Sequence, residues 1–213
     1  RGRCRRRQPR RGKSRRFSGL SGYRRLIESG VEAIALETPP YFFPEHAKAA
    51  VDAGLHVYMA KPVAVDVPGC LEIKAAAEKN TAAKRVFLVD YQIPTDPPNI
   101  QVVKMVNAGQ VGKVNALHSH YFATPFADPP FTDNLESRLR SLIWCNDVAV
   151  GGGYHVNACI HGVDAALWVA GQRPVSCLGL SRRGRPDPHG DSHDVFELLF
   201  EYDPTFLAGG LSL

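Results

Sequence analysis

Three short apolar runs punctuate the first half of the chain: Ala33-Ile34-Ala35-Leu36, His56 to Met59, and Arg85 to Val89. Each is shorter than a helix and almost unbroken by polar residues, the pattern of strands buried in a parallel sheet. Between them the spacing turns helical. Pro44 suits a first helical position, Glu45–Ala53 continues the helix, and Gly54 stops it. Asp66 or Val67 opens another helix over Pro68–Lys79, Ala-rich and amphipathic. Upstream, Ser21 opens a short helix, Gly22–Ser29, that stops at Gly30. Strand–helix–strand–helix–strand at this spacing predicts right-handed crossovers and a parallel sheet with helices on its faces.

The pattern then changes. Pro94 to Pro98 is proline-dense and marks a boundary, after which Asn99–Ala108 reads as a helix ended by Gly109. Val114–Phe122 alternates loosely, as a long strand does. Ala123–Thr132 is a loop with three prolines, and Leu135–Trp144 is helical. Gly151-Gly152-Gly153 introduces a helix over Val156–Ala170, closed by Gly171. Val175–Ser181, Ser192–Tyr202 and Phe206–Leu213 follow as strands with no helix between them, so they should pair antiparallel. The fold class is therefore α/β, a parallel sheet followed by an α+β domain with a mostly antiparallel sheet.

Composition adds two points. No apolar run reaches the roughly 20 residues of a membrane span, which excludes a helical membrane protein. The net charge of +5 reflects one tail: residues 1–16 hold ten Lys/Arg and no acid. Removing those ten from the 26 leaves 16 basic residues against 21 acids, a balance of −5. The run lacks the interleaved aromatics of a nucleic-acid platform, so it reads as a disordered leader and nucleic acid is not an expected partner. Five scattered cysteines without a C-x-x-C argue for reduced thiols and a cytoplasmic setting.

The candidate chemistry lies at strand exits. Glu37-Thr38-Pro39-Pro40, Ala60-Lys61-Pro62 and Asp90-Tyr91-Gln92 each follow a predicted strand, where open α/β sheets bind ligands. A lysine there is either a surface residue or a donor whose charge meets a developing alkoxide. Asn157, His161 and Asp164 are four and three residues apart and share one helix face. A histidine with an acid one turn away suits proton transfer near neutral pH, and equally suits a buried histidine satisfied by its neighbour. His189, Asp191 and His193 alternate as metal ligands on a strand would, but no fourth ligand accompanies them and no metal is expected. Arg182-Arg183-Gly184-Arg185 reads as a solvated loop.

Together these pieces resemble the glucose–fructose oxidoreductase / inositol dehydrogenase (Gfo/Idh/MocA) family. Thr38-Pro39 is similar to its Thr-Pro turn, Ala60-Lys61-Pro62 to its Glu-Lys-Pro motif, and His161-x-x-Asp164 to its catalytic helix. The resemblance runs from about Phe17 to the end of the chain. It implies a partial Rossmann-type NAD(P)-binding domain over 17–93 and a truncated α+β substrate and oligomerisation domain over 94–213. It implies NAD or NADP as cofactor, a sugar, cyclitol or related polyol as substrate, and a homo-oligomer. It implies catalytic Lys61, His161 and Asp164, cofactor contacts from Thr38, Pro39, Lys61 and Gln92, and substrate contacts from Lys61, Tyr91, Asn157, His161 and Asp164. Hydride would pass between a substrate carbon and the nicotinamide.

The departures are specific. Ala60 replaces the family's Glu, Phe43 a frequent His, and Asn157 a frequent acid, so His161 and Lys61 are left to carry proton transfer. The family's first strand and Gly-rich turn have no counterpart before Ala33. Two other readings follow from this: a non-catalytic relative that binds carbohydrate or protein, and an inactive gene fragment.

Overall fold

The apolar alternation of the first two strands sets the geometry of the first half. In the computed structural model, which describes residues 16–124, 126–128, 134, 138–139, 143–186 and 189–203, β1 (Ala33–Leu36), β2 (His56–Ala60) and β3 (Phe87–Asp90) form a parallel sheet in that order. Helix α1 (Gly22–Glu28) precedes β1, α2 (Phe43–Asp52) links β1 to β2, and α3 (Val67–Ala82) links β2 to β3. Ile34 and Leu36 of β1 and Val57 and Met59 of β2 point to one face, where they pack on Phe43, Ala47, Ala50, Val51, Ile73 and Ala76. A strand order that advances one way with crossovers of one hand puts both linking helices on the same side. Among the described residues α2 and α3 cover one face, while Tyr58 and Leu88 on the other are 40% and 49% exposed.

Local chemistry fixes the joints. Asp66 caps α3 by accepting from Gly69 N–H at 2.8 Å. Asn80, 1% exposed, donates its amide to the carbonyls of Leu55 (3.2 Å) and Val86 (3.0 Å), which ties the end of α3 to the start of the sheet. The proline-rich boundary is a 3₁₀ turn, Ile93–Thr95, followed by α4 (Pro97–Asn107).

The second half departs more from expectation. Val114–Phe122, read as a long strand, belongs to no strand. It faces β5 (Val195–Glu201) across a cavity of about 1070 Å³ instead of pairing with a neighbour. The predicted helix over Val156–Ala170 is a π turn, His155–Cys159, running into α5 (Ile160–Ala170) and closed by Gly171 in the left-handed region. β4 (Ser176–Arg182) and β5 pair antiparallel, as expected, with Ser176 opposite Glu201. Ser192–Asp194 stay outside β5 because Ser192 Oγ accepts from Tyr154 N–H at 2.7 Å and the Asp194 carboxylate is drawn into the loop. The basic run over residues 1–15, the strand read over Phe206–Leu213 and most of Leu135–Trp144 lie outside the described residues.

Arg185 was read as part of a solvated loop, and the structure overturns this. Its side chain is 6% exposed and is paired with Asp128 at 2.8 Å and Asp194 at 3.2 Å. It also donates to the Ser192 and Gly190 carbonyls at 2.7 and 3.0 Å. Burial alone would raise both carboxyls, but Arg185 and the backbone N–H groups of His189, Gly190 and Gly184 outweigh it and hold them below the usual range. The supposed metal triplet is dispersed: His189 Nδ1 faces Asp128 at 3.9 Å, Asp191 accepts from Val148 N–H at 2.8 Å, and His193 Nδ1 meets the Ser181 hydroxyl at 2.7 Å.

Removing Arg185 strands two buried carboxylates. Arg185→Ala is expected to cost roughly 3–5 kcal/mol in denaturant unfolding. Because the folded carboxyls titrate lower than the unfolded ones, this stability is complete above an unfolded pKa of about 3.9 and is lost as pH falls below it. Unfolding midpoints measured between pH 6 and 2.5 should therefore drop steeply in the native chain and less steeply in Arg185→Ala.

Candidate active site

Parallel register delivers three loops to one rim. Leu36 lies opposite Met59, and Ala60 opposite Asp90, so Thr38, Lys61 and Tyr91-Gln92 leave the sheet together. The Lys61–Pro62 peptide is cis and Pro62 is buried beneath the exit. From the second half, the start of α5 packs over this rim and meets the Ile93–Thr95 turn.

Lys61 and His161 converge there. Lys61 Nζ donates to the main-chain carbonyl of Asn157, one turn before His161. His161, 3% exposed, has Nε2 at 3.5 Å from Gln92 Nε2. Burial lowers its pKa, the Lys61 charge lowers it further, and Asp90 opposes both. Lys61 is itself pushed down by burial, while the neighbouring Cys145 thiol acts weakly in the other direction. Burial raises Asp164. Tyr91 is pushed up to about 12 by burial, then by the Asp164 charge and by Cys70. The Asp164 charge is thus felt at Tyr91, and His161 of the same helix reaches the β3 exit through Gln92.

Among the described residues, three buried polar atoms here have no hydrogen-bond partner: Thr38 Oγ1, His161 Nδ1 and Asp164 Oδ2. Such atoms cost about 1–3 kcal/mol each unless something satisfies them. They line the exits and the helix face, and they suit a hydroxylated ligand and the nicotinamide end of a dinucleotide.

Asn157 is expected among the substrate contacts, and its side-chain amide is engaged within its own turn. Its side chain is buried, and Nδ2 donates to the carbonyls of Gly151 and, at 3.2 Å, Gly153. Two neighbours escaped the sequence reading. The Tyr121 ring lies 5.2 Å from the His161 ring, and Cys145, 2% exposed, adjoins Lys61. Gly162 was the available signal for Tyr121, since a Cβ there would stand 3.3 Å from Tyr121 Cβ. The 1070 Å³ cavity lies on the other side of α5 and is lined by neither Lys61 nor His161. Among the described residues no three His, Cys, Asp or Glu side chains gather as metal ligands.

A lysine at the carboxyl end of a parallel strand, met by a helix that carries a buried histidine, defines an α/β protein with a ligand site at the rim of its sheet. Residues 7–88 match the NAD-binding Rossmann fold of an oxidoreductase family and residues 100–209 match the GFO/IDH/MocA C-terminal domain. The chain belongs to the GFO/IDH/MocA family. It is 27% identical over 173 residues to 1-carboxy-3-chloro-3,4-dihydroxycyclohexa-1,5-diene dehydrogenase of Comamonas testosteroni, covering 81% of this chain and 40% of that one. It is 29% identical over 122 residues to inositol 2-dehydrogenase 1 of Saccharopolyspora erythraea, covering 55% and 36%. Aldose–aldose oxidoreductase of Caulobacter crescentus, solved with glycerol, superposes with a TM-score of 0.67 at 27% identity, covering 85% of this chain and 51% of that one. Levoglucosan dehydrogenase, solved with NADH and levoglucosan, shares the fold with a TM-score of 0.67 at 21% identity, covering 84% and 47%. The chain spans about two fifths of the length of these curated relatives and about half of these solved structures.

With its pKa held down, His161 should be neutral at pH 7. Its imidazole resonances are expected to titrate below pH 6.5, the ordinary value. Lys61→Met removes a like charge, so the His161 midpoint should rise in an NMR titration. An unmoved midpoint would show that the two groups do not share a site.

Proposed function

We propose that this chain forms part of an NAD(P)-dependent oxidoreductase that moves hydride between a nicotinamide and a sugar, cyclitol or related polyol. The observation that carries this reading is the meeting of Lys61 and His161 at the strand exits. Thr38, Pro39, Lys61 and Gln92 would hold the nicotinamide end, and when bound that group accepts or returns the hydride. Lys61 donates to the substrate oxygen and stabilises negative charge on it. His161, neutral and therefore able to accept, takes the hydroxyl proton. Asp164 and Tyr91 orient the polyol, with Tyr91 protonated and donating.

In this reading residues 17–93 are the nucleotide part and 94–213 the substrate part, supported by family matches that leave a junction between residues 88 and 100. The full-length protein is a homo-oligomer, a reading supported by Leu178, Leu180 and Leu199, each 67–69% exposed on the hairpin. A cytoplasmic setting is supported by Cys70, Cys145, Cys159 and Cys177, all free. No described helix is long and apolar enough to cross a membrane.

The test is nicotinamide fluorescence against a panel of sugars and cyclitols. Turnover should fall about 10²-fold or more in Lys61→Ala and in His161→Ala, with the fold retained. Turnover that survives Lys61→Ala would overturn the assignment. The engagement of Asn157 with its own turn favours one second reading, a carbohydrate-binding relative without catalysis. Tight sugar binding with no nicotinamide oxidation or reduction would select it.

A further inference from the structure

We propose that Asn157 is a positioning residue whose side-chain amide, tied into the glycine turn, holds its own main-chain carbonyl on the Lys61 ammonium. The role rests on the oxidoreductase reading for its catalytic meaning, but the contacts stand without it. Asn157 is 4% exposed, and its Nδ2 reaches the carbonyls of Gly151 and Gly153. Its carbonyl accepts from Lys61 Nζ. It lies inside the π turn, a widened helical turn that is rare and frequent at functional sites when it occurs.

The turn is built to be rigid. A Cβ on Gly151 would run into the Trp144 carbonyl, so the chain tolerates no side chain where Asn157 binds. Gly152 takes φ +78°, and a Cβ there would stand 3.1 Å from Val65 Cα, four residues beyond Lys61. The glycine turn, the Asn157 amide and the β2 exit therefore press on one another as a unit, and the Lys61 contact is its fourth side.

The chemistry explains why an amide serves here. A carbonyl orients an ammonium without neutralising it. The titratable groups that act with Lys61 are the Cys145 thiol and the His161 imidazole, and both are uncharged at pH 7 because burial raises the first to about 12 and lowers the second. Lys61 thus keeps its full charge for an oxygen that gains negative charge. A carboxylate at position 157 would compete for that charge and would face two carbonyl oxygens.

The experiment reads Lys61 directly, by ¹³C NMR of the native chain, with the Lys61 signal identified by its loss in Lys61→Arg. The Asn157 carbonyl carbon should shift with the same pH midpoint as Lys61 Cε. In Asn157→Ala the ammonium should leave the buried contact for water, and its midpoint should rise toward the ordinary value of about 10.4. In the active enzyme the alkaline limb of kcat/KM should move with it. A flat Asn157 carbonyl trace across the Lys61 titration overturns the proposal, whatever the variants do. So does a folded Asn157→Ala that keeps the native midpoint. A coupled titration in a chain that never turns over substrate would defeat the enzyme reading and leave this one standing.

Discussion

An ammonium at the end of β2 reaches a main-chain carbonyl 96 residues further along the chain, and the candidate site is arranged around that reach. Few forces hold two segments so far apart in sequence at one point. A hydrogen bond from a charged donor is worth roughly 1.5–3 kcal/mol, more than a neutral one, but only where the donor is kept from water. The strand supplies direction, Pro62 fills the space below, and the start of α5 closes the site from above. With the ammonium fixed, the histidine one turn later inherits its position, its neighbour and its electrostatic environment.

Two polar clusters show opposite states of completion. Around Arg185 the donors and acceptors are matched: two carboxylates and two carbonyls accept from one guanidinium, and backbone N–H groups donate to the same two carboxylates. That cluster holds a loop in place and leaves no polar group for a ligand. At the rim of the sheet, Thr38, His161 and Asp164 each keep a buried polar atom unmatched. Natural proteins carry such a cost where something else is to bind. Single unmatched atoms also occur elsewhere, at Asn80 and Asn146 for example; the rim differs in gathering three around the strand exits and one helix.

The first half of the chain was legible because period and punctuation agreed. Apolar runs of four or five residues, glycine stops and a proline near a helix start placed β1 to β3 and α1 to α3 within a few residues. The His161–Asp164 spacing likewise matched the helix Ile160–Ala170, because side-chain direction on a helix is local geometry, while Asn157 falls in the π turn before it. What failed was non-local. Val114–Phe122 has the alternation of a strand, but a strand exists only where a neighbour supplies hydrogen bonds, and no local pattern shows that. Arg185 looked solvated because its partner Asp128 lies 57 residues away. Asn157 was placed near the substrate by its position four residues before His161 in the family resemblance, and the bond of its amide to its own loop is visible only in the coordinates.

The uncovered face of the parallel sheet has a practical consequence. Val86, Tyr58 and Leu88 present apolar surface to water on the side opposite α2 and α3. A fully folded chain would therefore offer a docking plane to an environment-sensitive dye such as anilinonaphthalene sulfonate. Fluorescence would start high at low temperature, so melting curves recorded with such a dye would describe this face before they describe unfolding.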